Sequence, residues 1–222
     1  MAEGADRPAH TRVTRALRYF SKGNGGLGVQ TSLSAGRTML LEVDEYPLWK
    51  YYPSRSRSPA WVEGVLGAFS QAQEEIDSRL KLGMDSDHAL AELRPALVAM
   101  GFEVESGKKA TEKIRRPVLF GEQGAESFAY EVDGFHPAEG IALEVEAGRG
   151  VLGNAVYRDL IQASLLIDAR FLVVALLIEY HYKSGGKPMV SLNYQIGRSI
   201  PDAIYVSSRL VLPFEGALLV GY

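Results

Sequence analysis

Runs of two-residue and of three-to-four-residue apolar periodicity follow one another along the chain, separated by glycine- and proline-bearing breaks. RTMLLEVDEY, residues 37–46, reads as a strand, and an aromatic, basic stretch, YPLWKYYPSRSRSP, overlaps its end. Ser58 and Pro59 suit a helix N-cap and first position. After them Val62, Val65, Leu66, Phe69, Ile76 and Leu80 recur at helical spacing, which predicts one long helix over 59–81, ending near Gly83. A second helix is predicted from Asp85 or Ser86 to Met100, with Leu90, Leu93, Leu97 and Met100 on one face and a kink or break at Pro95.

From Gly101 the period shortens. GFEVESG reads as a strand, KKATEKIRRP as a basic loop or flap, and FAYEVDGF and IALEVEAG as two strands joined by the turn HPAE. GNAVYRDLIQASLLID predicts an amphipathic helix with Val156, Leu160, Ala163 and Ile167 inward. RFLVVALLIEY is apolar on both faces, as a central strand covered on both sides must be. The tail holds a strand-like run at GALLV and a short helix around 200–207. From 85 to 178 the order is helix, strand, strand, strand, helix, strand, an α/β core with a mixed sheet. Residues 1–84 read as an N-terminal extension with a strand and a long helix, and 85–222 as the core with its C-terminal strands, the whole one compact domain.

Composition narrows the classes. At 222 residues, 46% hydrophobic and 23% charged, the chain suits a globular domain with one well-buried core. No apolar run approaches the roughly 18 residues of a membrane span, and the N-terminus lacks an apolar signal core, so a cytoplasmic protein with no membrane partner is expected. With no cysteine there is neither disulfide nor thiolate metal site. A net charge of −3 argues against nucleic-acid binding by bulk charge, but not against local basic strips. SKGNGGLG lacks the strand-before, helix-after context of a phosphate-binding loop and reads as plain loop.

The candidate chemistry is acidic. If FAYEVDGF and IALEVEAG pair, Asp133 comes from the first strand and Glu144 and Glu146, at i and i+2, project from one face of the second. Hard oxygen ligands clustered on rigid strands are what a divalent cation such as Mg²⁺ requires. Without a cation such crowded carboxylates repel, and one tends to hold a proton. The bland alternative makes Glu144 and Glu146 a solvated strand face alternating with Leu143 and Val145, and Asp133 a turn residue.

In this order, VDG followed by LEVE resembles the PD-(D/E)XK nuclease superfamily, to which many restriction endonucleases belong. The resemblance covers about residues 85–178 and implies a restriction endonuclease-like core, a central mixed β-sheet flanked by helices. Where the family pattern ends in Lys, this chain has Glu146, similar to a variant known among type II restriction enzymes. The resemblance implies that Asp133 and Glu144, with the backbone carbonyl of Val145, hold Mg²⁺ while Glu146 orients or deprotonates the attacking water or takes part in holding a second metal. It also implies an upstream acid, for which Glu75, Glu92 and Glu131 are candidates and Glu92 is preferred. The implied activity is hydrolysis of double-stranded DNA by a homodimer, as in restriction-modification. The alternatives are a catalytically inactive DNA- or protein-binding module on the same fold and an unrelated metal-dependent phosphohydrolase.

For DNA contact, Lys108, Lys109, Lys113, Arg115 and Arg116 form the densest basic strip. Asn154, Arg158 and Gln162 fall on one helical stripe, and Arg55 and Arg57 make a further candidate. His136 and His181 lack the spaced partners of a zinc site.

Overall fold

A computed structural model describes residues 45–148 and 154–222 of the chain. Fifteen elements occur in the order β1 (Leu48–Tyr52), α1 (Trp61–Gln71), α2 (Gln73–Ile76), α3 (Ser86–Ala99), β2 (Glu103–Val104), β3 (Ile114–Phe120), β4 (Glu126–Val132), β5 (Gly134–His136), β6 (Ile141–Glu146), α4 (Ala155–Ser164), β7 (Phe171–Leu176), β8 (Tyr180–Ser184), β9 (Lys187–Ser191), α5 (Asn193–Val206) and β10 (Gly216–Gly221). Six strands form a mixed sheet in the order β1-β10-β7-β6-β5-β2, and β3-β4 and β8-β9 are separate hairpins. β6, β7 and β10 run parallel, while β1, β5 and β2 pair antiparallel with their neighbours.

Strand alternation builds two cores. Leu143, Val145, Val173, Ala175, Leu218 and Val220 point to one face, where Val62, Val65, Phe69, Ile76, Leu90, Leu93 and Leu97 of α1, α2 and α3 cover them. Ala142, Leu172, Val174, Leu176 and Leu219 point to the other, against Val156 and Leu160 of α4 and Tyr194 and Ile200 of α5. The result is helix layer, sheet, helix layer. All six residues of β7 are buried, as a strand covered on both sides requires.

Several expectations need correction. The segment read as one helix over 59–81 breaks at Ala72, and Ser58 does not cap it, since the helix starts at Trp61. Polar anchoring ends it. Asp77 turns back to accept from the Arg79 backbone N–H at 3.0 Å, and buried Ser78 Oγ donates to the Tyr222 carbonyl. Leu80 is therefore exposed, outside the apolar stripe. Helix α3 runs through Pro95 without a break, its start capped by Asp85, whose side chain accepts from the His88 N–H at 2.7 Å. Ile167 lies beyond the end of α4 and is exposed. The helix expected at 200–207 is fourteen residues long and begins at Asn193.

Three strands, β3, β8 and β9, were not expected from the sequence. The basic segment makes one short helical turn at Ala110–Glu112 and then enters β3, which pairs with β4; β8-β9 is likewise absent from the sequence reading. β1 forms within the aromatic, basic stretch and is an edge strand of the main sheet. The strand expected over 37–46 and the glycine-rich 21–28 lie outside the described residues, apart from Glu45 and Tyr46.

Candidate active site

The run FAYEVDGF is not one strand. It divides at Asp133, with β4 before it in the hairpin and β5 after it in the main sheet. β5 pairs with only Ile141–Leu143 of β6, whereas β7 pairs with all of Ile141–Glu146. Past Leu143, then, β6 has no strand on its β5 side. The Asp133 side chain takes the missing strand's place, accepting a hydrogen bond from the Val145 N–H at Oδ2, 2.7 Å away. This bond brings Asp133 onto β6 between Glu144 and Glu146.

Glu144 and Glu146 lie opposite Val174 and Leu176 in the parallel pairing. Both of those residues face the α4 layer, and the two glutamates alternate with Leu143 and Val145, which face the other. The carboxylates are thus partly buried beneath α4, not set on a solvated face. Buried Asp159, 1% exposed, comes down from α4 to the same region. Arg158 joins them, with Nη2 donating to Glu146 at 2.5 Å and to Asp159 Oδ1 at 3.0 Å, while Asp159 Oδ2 is buried without a hydrogen-bond partner. On the β2 side, the Glu105 N–H donates to the Asp133 carbonyl at 2.8 Å, and the Glu105 carboxylate accepts from Lys113 Nζ at 2.5 Å. Arg94 of α3 fixes this turn by donating twice to the Glu105 carbonyl, at 3.0 and 2.8 Å.

So many carboxylates in one place raise one another's proton affinity. Burial pushes Asp133 up to about 6, against the opposing Val145 hydrogen bond and with help from Glu105 and Glu146. Burial pushes Glu144 well above the usual carboxylate range, and Asp133, Asp159 and Glu146 add to it. Asp159 is raised to about 7, chiefly by burial and then by Glu146, with Arg158 pulling the other way. Raised carboxyls clustered between α4 and the sheet mark a candidate functional site.

The donor set is oxygen throughout, carboxylates and backbone carbonyls, with an orphaned buried carboxylate oxygen among them, and its chemistry fits a hard divalent cation. Among the described residues no three His, Asp or Glu side chains are gathered as ready-made ligands. Glu146 and Asp159 are both engaged by Arg158.

The other sequence candidates sit elsewhere or are differently employed. Glu92 and Glu131 are exposed, and exposed Glu75 pairs with Lys81. Glu105, unnoticed in the sequence, stands where an upstream acid was sought. Of the basic strip, Lys108 pairs with Asp87, Lys109 with Glu112, Lys113 with Glu105, Arg115 with Glu126, and Arg116 with Glu103 and Asp168. Arg116 also lies 3.9 Å from the Phe135 ring centroid. Asn154 is the exposed, left-handed residue that opens α4, and Gln162 is half-buried. Exposed Arg55 lines a separate groove of about 680 Å³ with Lys50, Tyr52, Asp202 and Tyr205, away from the carboxylates. His136 bonds the Met100 carbonyl at 2.8 Å, and His181 bonds Glu179 at 3.0 Å.

Comparison with protein-family models, with curated proteins and with solved structures finds no match to this chain.

Proposed function

We propose that the protein is a Mg²⁺-dependent endonuclease of double-stranded DNA, most like a type II restriction enzyme. The observation that carries the reading is the Asp133–Val145 hydrogen bond, which joins the Asp of VDG to the centre of LEVE. Element order supports it. With the β3-β4 hairpin set between β2 and β5, the main-sheet elements α3, β2, β5, β6, α4 and β7 follow the helix-strand-strand-strand-helix-strand order expected of a restriction endonuclease-like core, with β2-β5-β6 antiparallel and β6-β7 parallel.

In this reading Asp133, Glu144 and the Val145 carbonyl hold Mg²⁺, which supplies Lewis-acid neutralisation of charge on the scissile phosphate. Glu146 accepts the proton of the attacking water. Arg158 balances the charge of Glu146 and Asp159 while DNA is absent and can transfer a guanidinium hydrogen bond to a phosphate oxygen when DNA arrives. Glu105 and Lys113 support Asp133 from behind. Cutting both strands of a symmetric site calls for a two-fold dimer. The 59–81 segment, expected to offer a dimer face, turns its apolar residues Val62, Val65 and Phe69 into its own core, so a dimer would need another surface.

The test is plasmid DNA incubated with the protein in Mg²⁺ and, separately, in EDTA. Cleavage confined to the Mg²⁺ reaction is expected. DNA binding without cleavage in either Mg²⁺ or Mn²⁺ would replace the nuclease with an inactive binding module.

A further inference from the structure

Resting on the nuclease reading, we propose that the β8-β9 hairpin grips duplex DNA beside the cleavage site by entering the major groove, with Lys183 and Lys187 on the phosphates that wall it.

Position comes first. Glu146 lies level with Leu176 at the end of β7, and the chain enters β8 four residues later. The other root of the hairpin returns to the same place, since Asn193 Nδ2 donates to the Gly148 carbonyl at 2.9 Å and the Tyr194 N–H to the Leu177 carbonyl at 3.0 Å. Both roots of the arm are therefore fixed at the C-terminal ends of β6 and β7, the end of the sheet that bears the carboxylates. The three residues between β7 and β8 and the five-residue strand together span at most about 29 Å, within about one turn of B-DNA, 34 Å.

Charge comes second. Every cation of the 108–116 strip already faces a carboxylate, whereas Lys183 and Lys187 are exposed and form no ion pair among the described residues. Glu179, at the root of the arm, bonds His181 at 3.0 Å.

Shape names the partner. Gly185 and Gly186 both have positive φ, 56° and 77°, the two-residue turn that keeps a hairpin narrow and twisted. Residues directly opposite in an antiparallel pair share a face. The pairs Ser184–Lys187 and Tyr182–Met189 place Lys187 on the face of Tyr180 and Tyr182, whose rings stack 5.6 Å apart. The pairs Lys183–Pro188 and His181–Val190 place Lys183 on the opposite face. A flat partner meets one face of a ribbon. The major groove, about 12 Å wide, admits a two-stranded ribbon and presents phosphates to both faces.

The experiment measures binding of a fluorescent 30-base-pair duplex to the full chain in Ca²⁺ buffer across a salt series, about 50 to 200 mM. K183Q/K187Q is expected to bind about tenfold more weakly at the low-salt end, with the slope of log K against log salt reduced by about two, one phosphate per lysine. K183R/K187R should keep the wild-type slope, and K108Q/K109Q should change it little. An unchanged slope in K183Q/K187Q, with wild-type melting behaviour, overturns the hairpin assignment and leaves the nuclease reading standing. A wild-type chain that binds no duplex at any salt overturns both.

Discussion

Asp133 and Glu144 are worse for the fold than neutral side chains of the same shape would be. Their carboxyls are raised by burial and by each other, so ionisation is costlier in the folded chain than in the unfolded one. Neutral isosteres should then stabilise the protein while removing its activity, the trade expected of residues kept for function. Glu144→Gln is predicted to add about 1 kcal/mol, or about 2–4 °C in Tm, by calorimetry. A lowered Tm would mean that the charge is satisfied by a partner. The pH dependence has a definite sign. A carboxyl whose folded pKa is raised binds more protons in the folded state, so its stability contribution is complete below the unfolded value of 3.8 and is lost as pH rises through the folded value. With Asp133 at about 6 and Asp159 at about 7, stability without divalent cations should fall steadily from about pH 4 to 7. Denaturant melts across that range in EDTA check it, and a rise toward pH 7 would contradict the raised values.

At the scale of elements, the layered core makes a sharp contrast between two leucines. Leu172 sits in the centre of β7 with no exposure, so Leu172→Ala should cost about 2–5 kcal/mol in urea unfolding. Leu80, beyond the broken helix and 68% exposed, should change stability by no more than about 0.5 kcal/mol. The same two residues show what a single sequence discloses. β7 and β10 were legible as continuous apolar runs, and α3 and α4 because their apolar positions recur at helical spacing. Leu80 fits the helical spacing of α1 just as well, and the local turn at Asp77 together with the tertiary bonds of Ser78 remove it from the stripe. Of the β3-β4 hairpin, β4 was read as the first part of FAYEVDGF, whereas β3 was hidden because it lies outside the main sheet and keeps charges on both faces, so no alternation marks it. The β8-β9 hairpin left a usable signal, Gly-Gly between YHYKS and KPMVS. Within the site, Asp133, Glu144 and Glu146 stood out by motif. Asp159 did not, because its burial depends on the crossing of α4 over the sheet. Glu105 did not either, because its role comes from Lys113, eight residues away.

Over the whole molecule, the carboxylate cluster lies where β6 parts from β5, with Arg158 of one helix layer paired to Glu146 and Asp159, so folding concentrates negative charge at one end of an otherwise well-covered sheet. A cation bound there should repay the electrostatic cost through linkage. Mg²⁺ at about a hundred times its Kd is predicted to add about 2.7 kcal/mol to the folded state at pH 8. The gain should be nearly absent in Asp133→Asn and smaller at pH 5, where protons compete for the same oxygens. Thermal melts with and without Mg²⁺ read it, and equal gains in the wild type and Asp133→Asn would place the cation elsewhere.

The most direct measurement is single-turnover cleavage of duplex DNA in Mg²⁺ by the wild-type chain, Asp133→Asn and Glu144→Gln, each first shown to be folded. The wild type should cut, and each variant should lose at least about a hundredfold in rate, about 2.7 kcal/mol of transition-state stabilisation. Cleavage by either variant at the wild-type rate would contradict the assignment of Asp133 and Glu144 as the residues that hold the metal and cut the strand.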